Sequence, residues 1–228
     1  MQPYFLPYIG YFQLINMVDE FIIYDNIQYT KKGWINRNRI LQNDKPYHIT
    51  LPLKKASDYL DVKDRYIADN FDRKKLLSQV KSAYSKAPYY PEIFEYFKTI
   101  IMFNDQNLFA YTYNSILKIL EILDIKTKID ISSHIPINHN LKSQEKVLAF
   151  CRYKNATTYI NPPGGVLLYD KLTFKDNNID LQFQKPIVEM YKQYNNEFVD
   201  SLSILDVLMF NGIEKTRLMI KKHDFLID

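Results

Sequence analysis

The chain has 228 residues, 46% of them apolar and 15% aromatic, and a net charge of +4. This is a globular composition, long enough for one large domain with a real core, and it excludes a disordered chain. The mild basicity gives no specific reason to expect nucleic acid.

In chain order, Pro3 and Pro7 impose an extended loop on QPYFLPYIGYF. From Gly10 the apolar residues Tyr11, Phe12, Leu14, Ile15 and Val18 recur at helical spacing, and EFIIYD reads as a strand. Loop, helix, strand is the second half of a βαβ unit, with the loop at the ligand end. NRNRI and KPYHITLPL form a hairpin across QNDKP, with Tyr47, Ile49 and Leu51 on one face. Residues 58–70 are polar and poorly periodic and read as a surface excursion. Three helices follow. Asp72 caps the first, Pro91 sits in the first turn of the second, and the third lines up Leu108, Tyr111, Ile116, Ile119, Leu120 and Leu123. IKTKIDIS is a strand, KSQEKVLAFCRYKNA a helix capped by Ser143, and TTYIN a strand with PPGG as its exit loop. LLYDKLTFKDNN is a short helix and IDLQFQKP a strand. A last helix is capped by Ser203 and ended by Gly212, with Asp206 in the first turn, where the helix dipole favours a carboxylate. The sum is one α/β domain over 1–228, a mostly parallel sheet flanked by helices, with a helical insertion at about 72–124.

No uninterrupted apolar run approaches the about 20 residues of a membrane span. Cys151 is the only cysteine, so no intrachain disulfide is possible and a cytoplasmic protein is expected. His48, His134, His139 and His223 are scattered without zinc spacing. The HExxH, GxSxG and P-loop patterns are absent, and no motif names a cofactor. Tyrosine is abundant at 19 residues. Its ring packs while its hydroxyl seeks a partner, which suits a sugar or nucleotide groove; an AT-rich gene is the other explanation. Only five glycines occur, and Gly164 and Gly165 are adjacent. Strand, glycine-rich loop, helix turns backbone N–H groups and a helix N-terminus toward an anion; a plain structural turn is the alternative. At least one of the pair should have positive φ or no room for a Cβ.

The phrases QPYFLPYIGYF, DNIQYTKKGWINRNRI, TTYINPPGGVLLYD and LSILDVLMFNG, in that order, resemble the WbqC-like family from residue 2 to about residue 212. The resemblance implies a bacterial cytoplasmic protein of surface-polysaccharide (O-antigen-type, lipopolysaccharide) gene clusters. The role it suggests is transfer of an acyl or aminoacyl group to the amine of a nucleotide-linked amino sugar. The family pattern falls on Gln2, Pro3, Pro7, Gly10, Tyr11, Asp25, Gln28, Trp34, Asn36 and Arg37. It continues on Tyr159, Gly164, Gly165, Tyr169, Asp170, Gln193, Ser203, Asp206 and Asn211. Relatives commonly carry a short apolar strand before the Gln-Pro pair. Met1 is therefore expected to be an internal residue of a longer product, with Met1 and Gln2 loosely held or their sheet position taken by another segment.

Amine acyl transfer needs a base, an oxyanion stabiliser, and grips for the sugar and for a free or carrier-bound donor. Asp25, at a strand end, is the first candidate base and Asp170 the second; His139 ranks below both. Arg37 and Arg39 suit a diphosphate or are edge-strand surface residues. Trp34 and Tyr29 suit ring stacking, with a core role for Trp34 as the alternative. Cys151, mid-helix beside Val147 and Leu148 and without a cationic partner, reads as a buried inert thiol. Gln2, Tyr11, Asp25, Arg37, Asn161, Gly164 and Asp170 are expected to line one cleft at the carboxyl ends of the strands. Two other functions stay open: a non-catalytic sugar-nucleotide-binding or scaffold protein, and a nucleotidyl-transfer enzyme, the latter without its HxGH histidines.

Overall fold

The computed structural model describes residues 1–194 and 197–226. Its first half contains α1 (Ile9–Asn16), β1 (Glu20–Ile23), β2 (Arg37–Gln42), β3 (Lys45–Thr50), α2 (Arg73–Tyr84), α3 (Tyr90–Ile101) and α4 (Leu108–Leu123). The second half contains β4 (Lys128–Ile131), α5 (Ser143–Lys154), β5 (Thr158–Asn161), α6 (Lys171–Asp176), β6 (Asp180–Lys185), α7 (Ile204–Ile220) and β7 (Asp224–Phe225).

Local chemistry accounts for most of these boundaries. Asn43 and Asp44 both take positive φ (50° and 58°) between β2 and β3, the geometry that matches a two-residue hairpin loop to strand twist. Asp72, Asn107, Asp170 and Ser203 each accept a backbone N–H at a helix start. Ser143 does not cap α5; it is the first helical residue, with φ 47°, and Lys142 holds the cap position without a side-chain bond. Gly212 breaks α7 at φ 70°, and an added Cβ would meet Cε1 of Tyr89 at 2.6 Å.

The sheet is the main departure from expectation. The strands form small sheets rather than one: β1 with β4 in parallel, the β2–β3 hairpin, and β5–β6 in parallel with β7 antiparallel at the edge. The flanked parallel sheet is thus present only as two parallel pairs. Nor do α2, α3 and α4 stand apart as an insertion. Val80, Phe97 and Ile119 belong to the same core cluster as Phe12, Ile23, Ile40 and Leu208, so these helices form part of the main core. Residues 58–70 are no surface excursion either. Val62, Arg65 and Ile67 are buried, and Lys63 N–H donates to the Asp25 carbonyl at 3.1 Å. On β3, Ile49 is buried with Leu51, whereas Tyr47 stays 41% exposed.

A smaller cluster gathers Val147, Leu148 and Cys151 of α5 with Phe174, Ile179, Leu181 and Phe183. Burial pushes the Cys151 thiol up to about 11, as an inert packed cysteine requires. The chain start is firmly held. The Met1 ammonium donates to Ile22 O at 2.7 Å and the Met1 carbonyl accepts from Tyr24 N–H at 2.8 Å. This is a parallel-strand pairing that sets Gln2 beside Tyr24, so Met1 is neither loose nor displaced.

Candidate functional site

Because β1 and β4 run in parallel and in register, their carboxyl ends bring Asp25 and Ser132 together. Asp25 Oδ1 accepts from Ser133 N–H at 3.0 Å, and Oδ2 accepts from the Ser133 hydroxyl at 2.6 Å. The single hydrogen of the Ser132 hydroxyl is shared between Asp25 Oδ1 at 2.9 Å and Asn26 Oδ1 at 2.6 Å. Burial opposes ionisation of Asp25, but the bonds from Ser133 and Ser132 outweigh it and hold the carboxyl below its ordinary range. Asn26 Nδ2 lies 2.9 Å from Nδ1 of His139, whose Nε2 lies 3.0 Å from the Ile135 carbonyl. A carbonyl only accepts, so the imidazole hydrogen is on Nε2, and Nδ1 accepts from Asn26. Asp25 and His139 are therefore both occupied in fixing the loops after β1 and β4.

Over this floor stands Lys146 of α5. It is half-buried, with Nζ 5.9 Å from the centre of the Tyr24 ring. Burial lowers its pKa, against the opposing pull of Asp61 and Asp25. Among the described residues it makes no ion pair. A lysine of this kind exchanges protons more readily than an exposed one. Tyr24 in turn neighbours an aromatic group on the β5–β6 side. Tyr159 stacks on Phe174 (5.6 Å, 10°) and meets Tyr169 edge-on at 5.8 Å. Burial and the neighbouring Tyr169 and Tyr24 raise the Tyr159 pKa well above its usual value, so its hydroxyl stays neutral and can donate or accept. Asn161 ends β5, and among the described residues its side chain makes no hydrogen bond.

The two glycines part company here. A Cβ on Gly165 would lie 2.9 Å from Asn161 Cγ and 3.1 Å from Tyr169 Cε2, so a larger residue would have to displace the Asn161 side chain. Gly164 has nothing within 4 Å and an ordinary φ. The packing crowds Gly165 and leaves open space at Gly164.

The remaining candidates scatter. Tyr11 is buried and donates to the Gln2 carbonyl at 3.0 Å, anchoring the first loop from the core. Gln28 is exposed and donates to Asp58 O. Asn36 is buried, accepting from Tyr29 and donating to Leu51 O, so it braces the hairpin. Asp170 caps α6 through Thr173 N–H at 2.9 Å and the Thr173 hydroxyl. Neither Asp170 nor Asp25 is placed as a free base. Arg37 joins Trp34, Arg39 and His48 on the hairpin rather than the Lys146 cleft. Gln193 belongs to another network, in which Asp206 accepts from Tyr84 and Tyr191 at 2.7 Å and from Gln193 at 2.9 Å. Of the seven residues expected in one cleft, Tyr11, Arg37 and Asp170 are engaged elsewhere, whereas Gln2 and Asp25 flank Tyr24, which also neighbours Lys146 and Tyr159. Lys146, Ser132, Ser133 and Tyr24 were not singled out from the sequence. Their signal was faint: a lysine in an amphipathic helix and two serines after a strand.

The family model described as WbqC-like protein family matches residues 2–218. A protein of Mycobacterium tuberculosis (strain ATCC 25618 / H37Rv), described only as uncharacterized, is 30% identical over 217 residues, covering 94% of this chain and 93% of its own length. No solved structure matches the chain.

Proposed function

The chain belongs to the WbqC-like family, and from that premise we propose that it is a cytoplasmic enzyme of bacterial surface-polysaccharide biosynthesis. Its reaction in this reading is transfer of an acyl or aminoacyl group to the amine of a nucleotide-linked amino sugar. The observation that carries this is Lys146, a half-buried amine with lowered pKa that lies 5.9 Å from the Tyr24 ring and within the field of Asp25. Tyr159, Tyr169 and Gln2 hold the sugar, and the open space at Gly164 lets it approach the backbone. As the C–N bond forms, the fraction of Lys146 in its neutral form, which the lowered pKa increases, takes a proton from the attacking amine. It returns that proton to the alkoxide or thiolate when the donor's C–O or C–S bond breaks. Asn161 Nδ2 donates to the oxygen that becomes negative in between. Asp25 positions the floor, and Asp170 shapes the exit loop as the cap of α6.

The test is incubation with nucleotide-linked amino sugars and acyl or aminoacyl donors, read by mass spectrometry. A product heavier by the acyl group supports the reading. Pyrophosphate release would point to nucleotidyl transfer instead, and binding without any product to a non-catalytic partner of the pathway.

A further inference from the structure

The outer face of the β2–β3 hairpin carries a cationic aromatic platform. Residues two apart on a strand share a face, so β2 presents Arg37 and Arg39 together, and the register sets His48 opposite Arg39. Trp34, just ahead of the strand, lies across them. Its ring stacks with His48 (5.9 Å between centres, planes 18° apart). The guanidinium carbons of Arg37 and Arg39 sit 5.8 and 5.4 Å from the indole centre. The indole is thus held in place yet 39% exposed.

Both guanidiniums are oriented by groups that carry no net charge. Arg37 donates to the carbonyls of Gly33 (3.0 Å) and Lys32 (2.7 Å), and Arg39 to that of Ser201 (3.1 Å). Among the described residues neither has a carboxylate partner, and Arg39 Nε is buried without any acceptor. Bracing the turn before β2 explains one arginine. It does not explain two full positive charges side by side with nothing to offset them. His48 is disfavoured as a third charge, because partial desolvation at this exposed site and the two arginines hold its pKa down.

We propose that this platform binds the nucleoside diphosphate portion of the substrate, with the base on the open face of Trp34 and the two phosphates on the remaining N–H groups of Arg37 and Arg39. The inference rests on the reading of the substrate as nucleotide-linked. It assigns that part of the molecule to the hairpin.

Trp34 is the only tryptophan of the chain, which also has 19 tyrosines, so fluorescence excited beyond the tyrosine absorption band reports on this platform alone. Titration with UDP, ADP, GDP, CDP and dTDP should give saturable quenching by at least one of them, with inorganic pyrophosphate competing. His48→Asp sets a carboxylate against both guanidiniums. His48 is exposed and its side chain makes no hydrogen bond among the described residues, so the fold should tolerate the change. Affinity for the nucleotide should fall about tenfold or more. Arg37→Lys, which keeps the charge and loses the fork, should bind with intermediate strength. Calorimetric titration repeats each measurement without relying on the indole. No saturable binding of any nucleoside diphosphate, or equal affinity of H48D and the unchanged protein, overturns the proposal. Nucleotide binding that H48D abolishes, with no acyl transfer by the unchanged protein, leaves the platform standing and removes the transfer reading. Acyl transfer that H48D leaves untouched does the reverse.

Discussion

Asp25 and Asp206 are both buried carboxylates, each met by hydroxyl and N–H donors, yet their surroundings push them in opposite directions. Asp25 sits at the ends of two parallel strands under Lys146, and its bonds from Ser133 and Ser132 hold it ionised. Asp206 is fully buried, and desolvation raises its pKa despite the bonds from Tyr191, Tyr84 and Gln193. Through Tyr84 it ties α7 to α2 and, by the Leu41 N–H, to the hairpin. Through Gln193, which brackets Val199 with two bonds, it also secures the segment that precedes α7. The Asp206 network binds elements into a core, and the Asp25 network fixes the loop that follows β4. The presence of a buried carboxylate does not reveal which; the placement of its donors does.

The largest effect that separates them is on stability. Asp206→Ala strands two tyrosine hydroxyls and a glutamine amide in the core, and should cost on the order of 3 kcal/mol, read as a lowered denaturant midpoint. Asp25→Asn keeps the shape and the loop contacts in part, and should cost about 1 kcal/mol in the same measurement. An equal loss from both changes would erase the distinction between core and cleft.

The glycines sharpen it next. Gly165→Ala drives a methyl into Asn161 and Tyr169 and should lower stability by about 1–3 kcal/mol. Gly164→Ala meets nothing within 4 Å, so its melting temperature should stay near that of the unchanged protein while sugar binding weakens. A Gly164→Ala protein with unaltered binding would return that glycine to the status of a plain turn residue.

Acid provides the smallest and most specific contrast. With its folded pKa depressed, Asp25 contributes stability that is present above the unfolded carboxylate pKa of about 4 and is lost as pH falls through the folded value. Asp206, with its folded pKa raised, works the other way. Its protonation favours the folded state below about pH 4, and that contribution disappears as pH rises through the folded value. Asp25→Asn should therefore flatten the loss of stability on acidification, and Asp206→Asn should steepen it. Parallel pH profiles for the two variants would contradict the assigned shifts.

Much of the fold was legible because its signals are local. The Asn43–Asp44 turn, the apolar stripe of α4 and the Ser203 cap each lie within a few residues of what they determine. What was not legible depends on distant partners. Tyr84 and Asp206 are 122 residues apart, and nothing in either neighbourhood announces the bond; by local pattern Asp206 reads as a helix-dipole residue. The division of the strands into small sheets is equally non-local. Polar residues 58–70 looked solvated because Val62 and Ile67 have no periodic companions, although both are buried. In the site, the strand-end position of Asp25 and the crowding of one glycine were readable. Lys146 was not, since a lysine in an amphipathic helix ordinarily faces water.

The account turns on that lysine, and Lys146→Met measures it most directly. The side chain is similar in length and lacks the amine, and the Asp25 floor does not depend on it. The predicted result is an unchanged melting temperature with acyl transfer reduced about 100-fold or more, the scale of a lost general base. Lys146→Arg should fail as well, because a guanidinium does not release its proton. Transfer at the unchanged rate by a folded Lys146→Met protein would contradict the central claim that this cleft carries the chemistry.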